Sequence, residues 1–503
     1  MGALPRRRVL SASNSRRGEG RYVEHDSHAD RRGVEMMEGY DTLLRNGTVV
    51  DPANGVHDIR DIALRDGKIV EVAPTIAGGA RREHDLTGLL VIPGIVDMHV
   101  HLSPFLGGGC GHRMLALAGV TTALDMAGPI EGVVDLAVRH GCGLSIACVN
   151  YLRPGHTIAS ADPGRGDIED ALSHALSQGA IGLKLLGGHY PLTADATAQA
   201  IAAAAGQGAY AAFHAGTRSA GSNIEGMREA CELSAGHPLH LAHINSYCRG
   251  QIHDAVAEGE EALRLLAAHP HIRSESYLAP FNGVSGECID GVPGSRLAAF
   301  GLERGGYPAT TEGMAEAILA GWALVNLERD GVIELVGGAE GLAAWRACGS
   351  LIGISFRANP PEPRLRLVTA TRPDGRFAVD ALATDGGGIP RNDIVARGLA
   401  LVHLDALSLD GFVRKASLHP ARILGLRDKG HLGVGADADI CVLDLERRRP
   451  VLTYAHGQRL LDGEEVVGRG GRLITTPVGE KAVRAAGLDA LIVQPGTMLQ
   501  TPQ

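Results

Sequence analysis

Between Val91 and Asp385, short apolar runs rich in β-branched residues alternate with Ala-, Leu- and Glu-rich stretches, and few folds accommodate that alternation. The runs are VIPGIVDMHV from Val91, GVTTALDM from Gly119, LSIACV from Leu144, IGLKLL from Ile181, YAAFH from Tyr210, LHLAH from Leu239, IRSESY from Ile272 and ALATD from Ala381. The stretches between them, such as DIEDALSHALSQG, TADATAQAIAAAAGQG and GQIHDAVAEGEEALRLLAAH, have helical spacing and end in Gly or before Pro. Apolar strands separated by helices read as parallel strands covered on both faces. Eight of them predict an α/β chain built on a (β/α)8 TIM barrel. No GxGxxG follows the first run, so a dinucleotide fold has no local support.

The flanks follow a different pattern. From Tyr40 to about Leu90, DTLLRNGTVVD and DIALRDGKIVEV place Asn-Gly or Asp-Gly between apolar runs, which is hairpin chemistry. A β-rich stretch returns late, in ADADICVLDLERRRPVLTYAHGQRLLDGEEVVGRGGRLI. The expectation is a small β-sandwich domain formed by residues 39–90 and 430–475, with the barrel, 91–429, inserted between its halves. The interval from His243 to Asp385 is long and holds YLAPFNGVSGECIDGVPGSR and a helical segment near EGMAEAILAGWALV. It predicts a lid insertion around 277–375 over the mouth of the barrel. Residues 1–38 are polar, charged and aperiodic and read as a flexible N-terminal tail, or as an overlong gene start given Met36 and Met37; residues 476–503 form a C-terminal extension.

Composition narrows the function classes. A net charge of −9 and an aromatic share of 4% argue against a nucleic-acid surface. No stretch approaches the ~20 apolar residues of a membrane span, and the Arg-rich start lacks the apolar core of a secretory signal. Eight cysteines, scattered without a CxxC pair, read as reduced thiols. A cytoplasmic homo-oligomer, dimer or tetramer, acting on a small molecule without nucleic-acid or membrane partners is expected.

Reactive side chains in a parallel barrel sit at the carboxyl ends of strands, so the polar residues in or ending the apolar runs carry the chemistry. They are His99 and His101 in the first run, Lys184 in the fourth, His214 and His243 ending the fifth and sixth, and Asp385 ending the eighth. In a strand, residues i and i+2 share a face, so the HxH pair projects two imidazoles to one side where they can share a cation. Imidazole and carboxylate donors suit zinc and related divalent ions.

With these residues in place, the sequence resembles the amidohydrolase superfamily over roughly Tyr40 to Thr475. The resemblance rests on PGIVDMHVHL, Lys184, the single histidines His214 and His243, Asp385, and the late segment HPARILGLRDKGHLGVGADADICVLD. Within the superfamily it is closest to the branch with dihydroorotases, hydantoinases, isoaspartyl dipeptidases and N-acyl-D-amino-acid deacylases. It implies a site of two Zn2+ ions, or other divalent metals, with His99, His101 and Asp385 holding one and His214 and His243 the other. Lys184 would be N-carboxylated, its carbamate bridging both, because a plain ammonium beside two dications would be repelled. The implied activity is hydrolysis of a non-peptide or cyclic amide C–N bond by a metal-activated hydroxide, Asp385 carrying the proton. A deaminase or formyl-transferring relative and a non-catalytic barrel subunit are the alternatives; the last would show a lost ligand, and no position is lost.

Weaker candidates surround this set. His189 and Tyr190 would polarise a substrate carbonyl, or simply form a surface turn before the helix at Thr193. Cys110 and His112, in LGGGCGHR, would overlie the metals, Cys110 as a soft ligand or, more in keeping with its type, an inert buried thiol. Asn245 and Arg249 follow His243, with Arg249 suited to clamping a substrate carboxylate, and Tyr277 and Asn282 belong to the lid.

Overall fold

A computed structural model describes residues 24–25, 39–104 and 107–502. The expectation for residues 1–38 lies outside the described residues except at Glu24–His25, which pair antiparallel with His84 and Glu83. The eight apolar runs are the strands of a closed barrel. In chain order these are Ile95–His101, Val120–Asp125, Cys142–Tyr151, Gly182–Leu186, Tyr210–His214, Leu239–Leu241 and Ile272–Ser276, followed by an eighth in two pieces, Ala381–Leu382 and Gly386–Gly387. All neighbours are parallel, and the eighth strand closes the ring by pairing first with the seventh strand and then with the first.

Both faces of each strand are covered, which is why the runs lack an apolar–polar alternation. Every residue of Val120–Asp125 and Gly182–Leu186 is buried. The outer helices are amphipathic. Ala194–Gly206 starts at Thr193, whose hydroxyl accepts from the Ala196 backbone N–H, and turns Ala196, Ala200, Ile201 and Ala204 inward. Burying Ile201 alone contributes about 1.5–3 kcal/mol.

The two β-rich flanks meet in one sheet, ten-stranded among the described residues. Leu90–Pro93 pairs antiparallel with Ile440–Leu443, so the two ends of the chain share a ladder. The sheet folds over a common core in which Leu44, Ile62 and Leu64 from one flank pack with Ile440, Leu452 and Tyr454 from the other.

Two boundaries differ from the sequence reading. Gly470–Thr475, grouped above with the small domain, pairs in parallel with the third barrel strand, and Asp489–Ile492 pairs with it in turn. The third strand, ten residues long, has its first half flanked by Gly470–Thr475 and only its end flanked by the fourth strand, so the barrel edge had room for another partner. The insertion between the seventh and eighth strands is not a simple lid. Asn282–Ser285, Gly353–Phe356, Ala323–Arg329 and Val332–Val336 form a four-stranded antiparallel sheet. Packed with the helices Arg296–Arg304, Thr311–Leu319 and Gly338–Ala347, it encloses a core around Met314, Trp345 and Phe356. In the segment EGMAEAILAGWALV the helix stops at Leu319 and a strand begins at Ala323, because Gly321 turns the chain at φ 73°. The helix Pro361–Thr369, inside the expected lid, belongs to the barrel's outer layer, where Arg366 pairs with Glu260 of the helix Ala255–Ala268.

A buried ionic cluster fastens the late segment to the early sheet. Asp437 binds Lys68 at 2.8 Å and Lys429 at 3.1 Å, while Asp439 takes Lys429 at 2.7 Å. Burial opposes ionisation of Asp437, but the His456 hydrogen bond, the Lys429 charge and the lysine hydrogen bonds outweigh it and hold the carboxyl well below the usual carboxylate range. A group with a depressed native pKa contributes stability above its unfolded value, near 4, and loses it as pH falls further. Asp437→Asn is therefore expected to cost about 1–3 kcal/mol at pH 7, with the gap to wild type narrowing below about pH 4. Urea unfolding across that pH range checks both.

Candidate metal centre at the mouth of the barrel

The carboxyl ends of the strands bring five of the six main candidates into a connected cluster and bury the sixth within its electrostatic reach. His101 Nε2 and His99 Nε2 lie 2.8 and 3.2 Å from the same oxygen, Oδ1 of Asp385. His99, His101 and Asp385 offer ligand atoms all within 4.8 Å of one another. On the other side His243 Nε2 faces His214 Nδ1 at 3.1 Å, and the ring of His243 stacks on that of His99 with centroids 5.1 Å apart. Lys184 is buried, and among the described residues its Nζ makes one hydrogen-bond contact, to the Met126 sulfur at 3.8 Å. Burial brings its amine down to about 8.

Local backbone fixes these positions. His243 and Asp385 both adopt left-handed conformations, φ 33° and 52°, just past their strands, which turns each side chain across the mouth. Gly188 passes so close to His214 that a Cβ there would meet Nε2 at 2.2 Å; only glycine lets the loop after the fourth strand cross at this point.

The protonation pattern fits a cation. Burial holds His99 and His214 well below the ordinary imidazole value and takes His243 to about 3, so these rings are neutral. His99 Nδ1 lies 2.6 Å from Oε1 of Glu275, a carboxyl that burial raises to about 8; a ring proton on Nδ1 would turn the Nε2 lone pair toward Asp385, 3.2 Å away. His214 Nε2 is engaged by the Ser222 hydroxyl at 2.7 Å, and its Nδ1 faces the Nε2 of His243. Converging nitrogen and oxygen atoms of this kind are the donor set of a divalent ion; the outward nitrogens of His99 and His214 are hydrogen-bonded, while Nδ1 of His101 and of His243 has no partner among the described residues. Among the described residues the Lys184 amine meets one weak sulfur acceptor, so burial disfavours its charged form.

Asp385 is anchored from outside the ring. Arg391 forms an ion pair with its Oδ2 and also donates to the Asp385 carbonyl at 2.7 Å. Burial works against the Asp385 charge, yet the Arg391 guanidinium beside it keeps the carboxyl well below its usual range.

The weaker candidates divide. Arg249, 5% exposed, lies among neutral partners: its guanidinium donates to Asn359 Oδ1 at 2.9 Å and to Ser246 Oγ and Tyr277 Oη at 3.1 Å each. Asn245 is buried behind it and accepts from the Tyr277 backbone and the Ser276 hydroxyl. Asn282 begins the inserted sheet, with Oδ1 3.5 Å from Arg391. His189 is exposed, its ring 5.4 Å from His214, and Tyr190 sits at the rim under the Arg153 guanidinium. Cys110 and His112 lie in the helix Cys110–Leu117, outside the His99, His101 and Asp385 group. Burial and a hydrogen bond to Glu328 push the Cys110 thiol up to about 11, which disfavours a thiolate ligand.

Three residues of the site were not singled out by the sequence. Glu275 sits in the run IRSESY, one position before the strand's end, where the rule of polar strand ends would have found it. Arg391 and Ser222 lie in loops whose sequence carries no such mark.

The profile of the Amidohydrolase family matches residues 375–469. An allantoinase of Rubrobacter xylanophilus is 40% identical over 95 residues, 18% of this chain, and the match spans 20% of that relative's length. A dihydroorotase of Pelotomaculum thermopropionicum is 24% identical over 441 residues, covering 81% of this chain and 90% of its own. In fold, a D-aminoacylase structure concerned with the functional role of that enzyme's binuclear metal centre superposes with a TM-score of 0.63 at 17% identity, over 86% of this chain and 99% of that one.

Removing one member of a buried ion pair strands the other charge. Arg391→Met is expected to lower the stability of metal-free protein by about 3–5 kcal/mol, and adding Asp385→Asn should restore part of it. Urea denaturation of the two single variants and the double variant measures the coupling.

Proposed function

We propose that the chain is an amidohydrolase that hydrolyses a carbon–nitrogen bond in a cyclic amide, a hydantoin-like ring or an N-acyl amino acid, a reading supported by the family profile over residues 375–469 and by the dihydroorotase that is 24% identical over 441 residues. The observation that carries this reading is the convergence of His99 Nε2, His101 Nε2 and Asp385 Oδ1 beside the facing nitrogens of His214 and His243. In this reading His99, His101 and Asp385 hold one divalent cation, zinc by donor type, and His214 and His243 hold a second. Lys184 would join them as a carbamate, its neutral amine adding carbon dioxide and releasing a proton, to supply anionic oxygen donors. Cations bound there would supply polarisation of an amide carbonyl and a water acidic enough to ionise near neutral pH.

The chain's own groups do the rest. The Asp385 carboxylate, fixed by Arg391 and by its left-handed backbone, accepts a proton at Oδ1 and returns it to the departing nitrogen. Arg249 lies among neutral partners, which favours a substrate carrying a carboxylate. The relatives named above are an allantoinase, a dihydroorotase and a D-aminoacylase, and their names span the amide classes proposed. Among the described residues no helix is long and apolar enough to cross a membrane. A cytoplasmic setting is part of the proposal. Assembly into a dimer or tetramer is part of the same proposal, and light scattering reads it directly.

Hydrolysis of a panel of hydantoins, dihydropyrimidines and N-acyl amino acids tests the activity. His99→Ala and chelator treatment are each expected to lower turnover about a thousandfold or more, with recovery on adding Zn2+ only for the chelated wild type. Full activity of His99→Ala would refute the reading. For the substrate class, Arg249→Met should raise KM about 10- to 100-fold for carboxylate-bearing members of the panel while leaving uncharged ones nearly unchanged. Intact-mass measurement under native conditions should show a gain of one carboxyl group that disappears in Lys184→Ala.

A further inference from the structure

Among the described carboxylates at the mouth of the barrel, Glu275 alone hydrogen-bonds to both halves of the cluster. It lies on the seventh strand, fully buried, and a single oxygen does two jobs. Oε1 lies 2.6 Å from Nδ1 of His99, from the first strand. The same Oε1 accepts the backbone N–H of His243, after the sixth strand, also at 2.6 Å. Its other oxygen, Oε2, has no partner among the described residues.

We infer that Glu275 is the positioning residue that ties the two halves of the centre together, fixing the His99 tautomer and the His243 backbone through one oxygen. Each half of the argument is chemical. An imidazole carries one proton when neutral, and its position is set by the acceptor that the other side of the ring meets. Glu275 commits that proton to Nδ1 of His99 and leaves Nε2 bare toward Asp385. His243 sits at φ 33°, a conformation that a residue with a side chain adopts only when surrounding contacts over-determine it. The buried hydrogen bond from its backbone N–H to Glu275 Oε1, at 2.6 Å, is such a contact. His99 and His243 stack on each other, so loosening the Glu275 bridge frees both rings at once. Ser222, by contrast, touches only His214.

The inference rests on the metal-centre reading for its consequence, coupled loading of the two half-sites, but its geometric core can be read in metal-free protein. Histidine-selective 15N labelling reports tautomers. Wild type is expected to show His99 as a single Nδ1–H form, and Glu275→Gln and Glu275→Ala are expected to show a mixture, with the fold checked by circular dichroism. Should Glu275→Ala fail to fold, the isosteric Glu275→Gln decides alone. Titration with Zn2+ against a chromophoric chelator supplies the second readout. Each Glu275 variant should bind about 10- to 100-fold more weakly at both half-sites, and Ser222→Ala at one only. An unchanged His99 tautomer in the folded Glu275 variants, or weakening confined to one half-site, would overturn the inference. A wild type that binds no Zn2+ would instead sink the metal-centre reading and the coupling with it, while the tautomer comparison still decides whether Glu275 positions His99.

Discussion

The site exists only where the barrel closes. The eighth strand pairs with the seventh through Ala381 and Leu382, then crosses to the first through Gly386 and Gly387. Asp385 lies in the crossing. Its backbone N–H bonds to the His99 carbonyl at 2.8 Å, and its carboxylate lands between the Nε2 atoms of His99 and His101. One closure therefore makes the ring continuous and assembles three ligand atoms. Gly387 completes it at φ 72°, where a Cβ would run into the His101 carbonyl at 2.5 Å.

Burying these groups is costly, and the arrangement shows how the cost is offset. Neutral imidazoles avoid the charge penalty, and the one strongly ionised carboxylate, Asp385, has Arg391 against its outer oxygen. Arg391 in turn donates to the Phe281 carbonyl and lies over the Tyr277 ring, so the inserted domain is fastened to the same carboxylate that faces His99 and His101. Arg249 makes a parallel link through Asn359. The insertion thus adjoins the centre through hydrogen bonds, not through apolar packing alone.

Much of this was legible in the sequence because barrel chemistry concentrates at strand ends. His99, His101, His214, His243 and Asp385 each interrupt or end an apolar run, and the strand period puts the first two on one face. Glu275 is equally marked by position, but its neighbours Arg273, Ser274 and Ser276 make the run polar throughout, which hides one functional acid among structural ones. Arg391 and Ser222 reach the site from loops, where no periodicity constrains which residue points inward. The insertion was misjudged in form because Ala323–Arg329 follows a helix with little to separate them in composition. Gly470–Thr475 carries a strand pattern whichever sheet it joins, so its pairing with the barrel depends on the open flank of Cys142–Tyr151, a fact of three dimensions.

That pairing has a bearing on how the molecule is made. Leu90–Pro93 leads directly into the first barrel strand, yet its ladder partner, Ile440–Leu443, is translated some 350 residues later, and the open side of the third strand is covered later still. A chain leaving the ribosome therefore holds exposed strand edges at both the small sheet and the barrel floor until its final segment emerges. Contacts of such sequence separation slow folding, and during that interval the nascent barrel depends on whatever shields those edges from other chains.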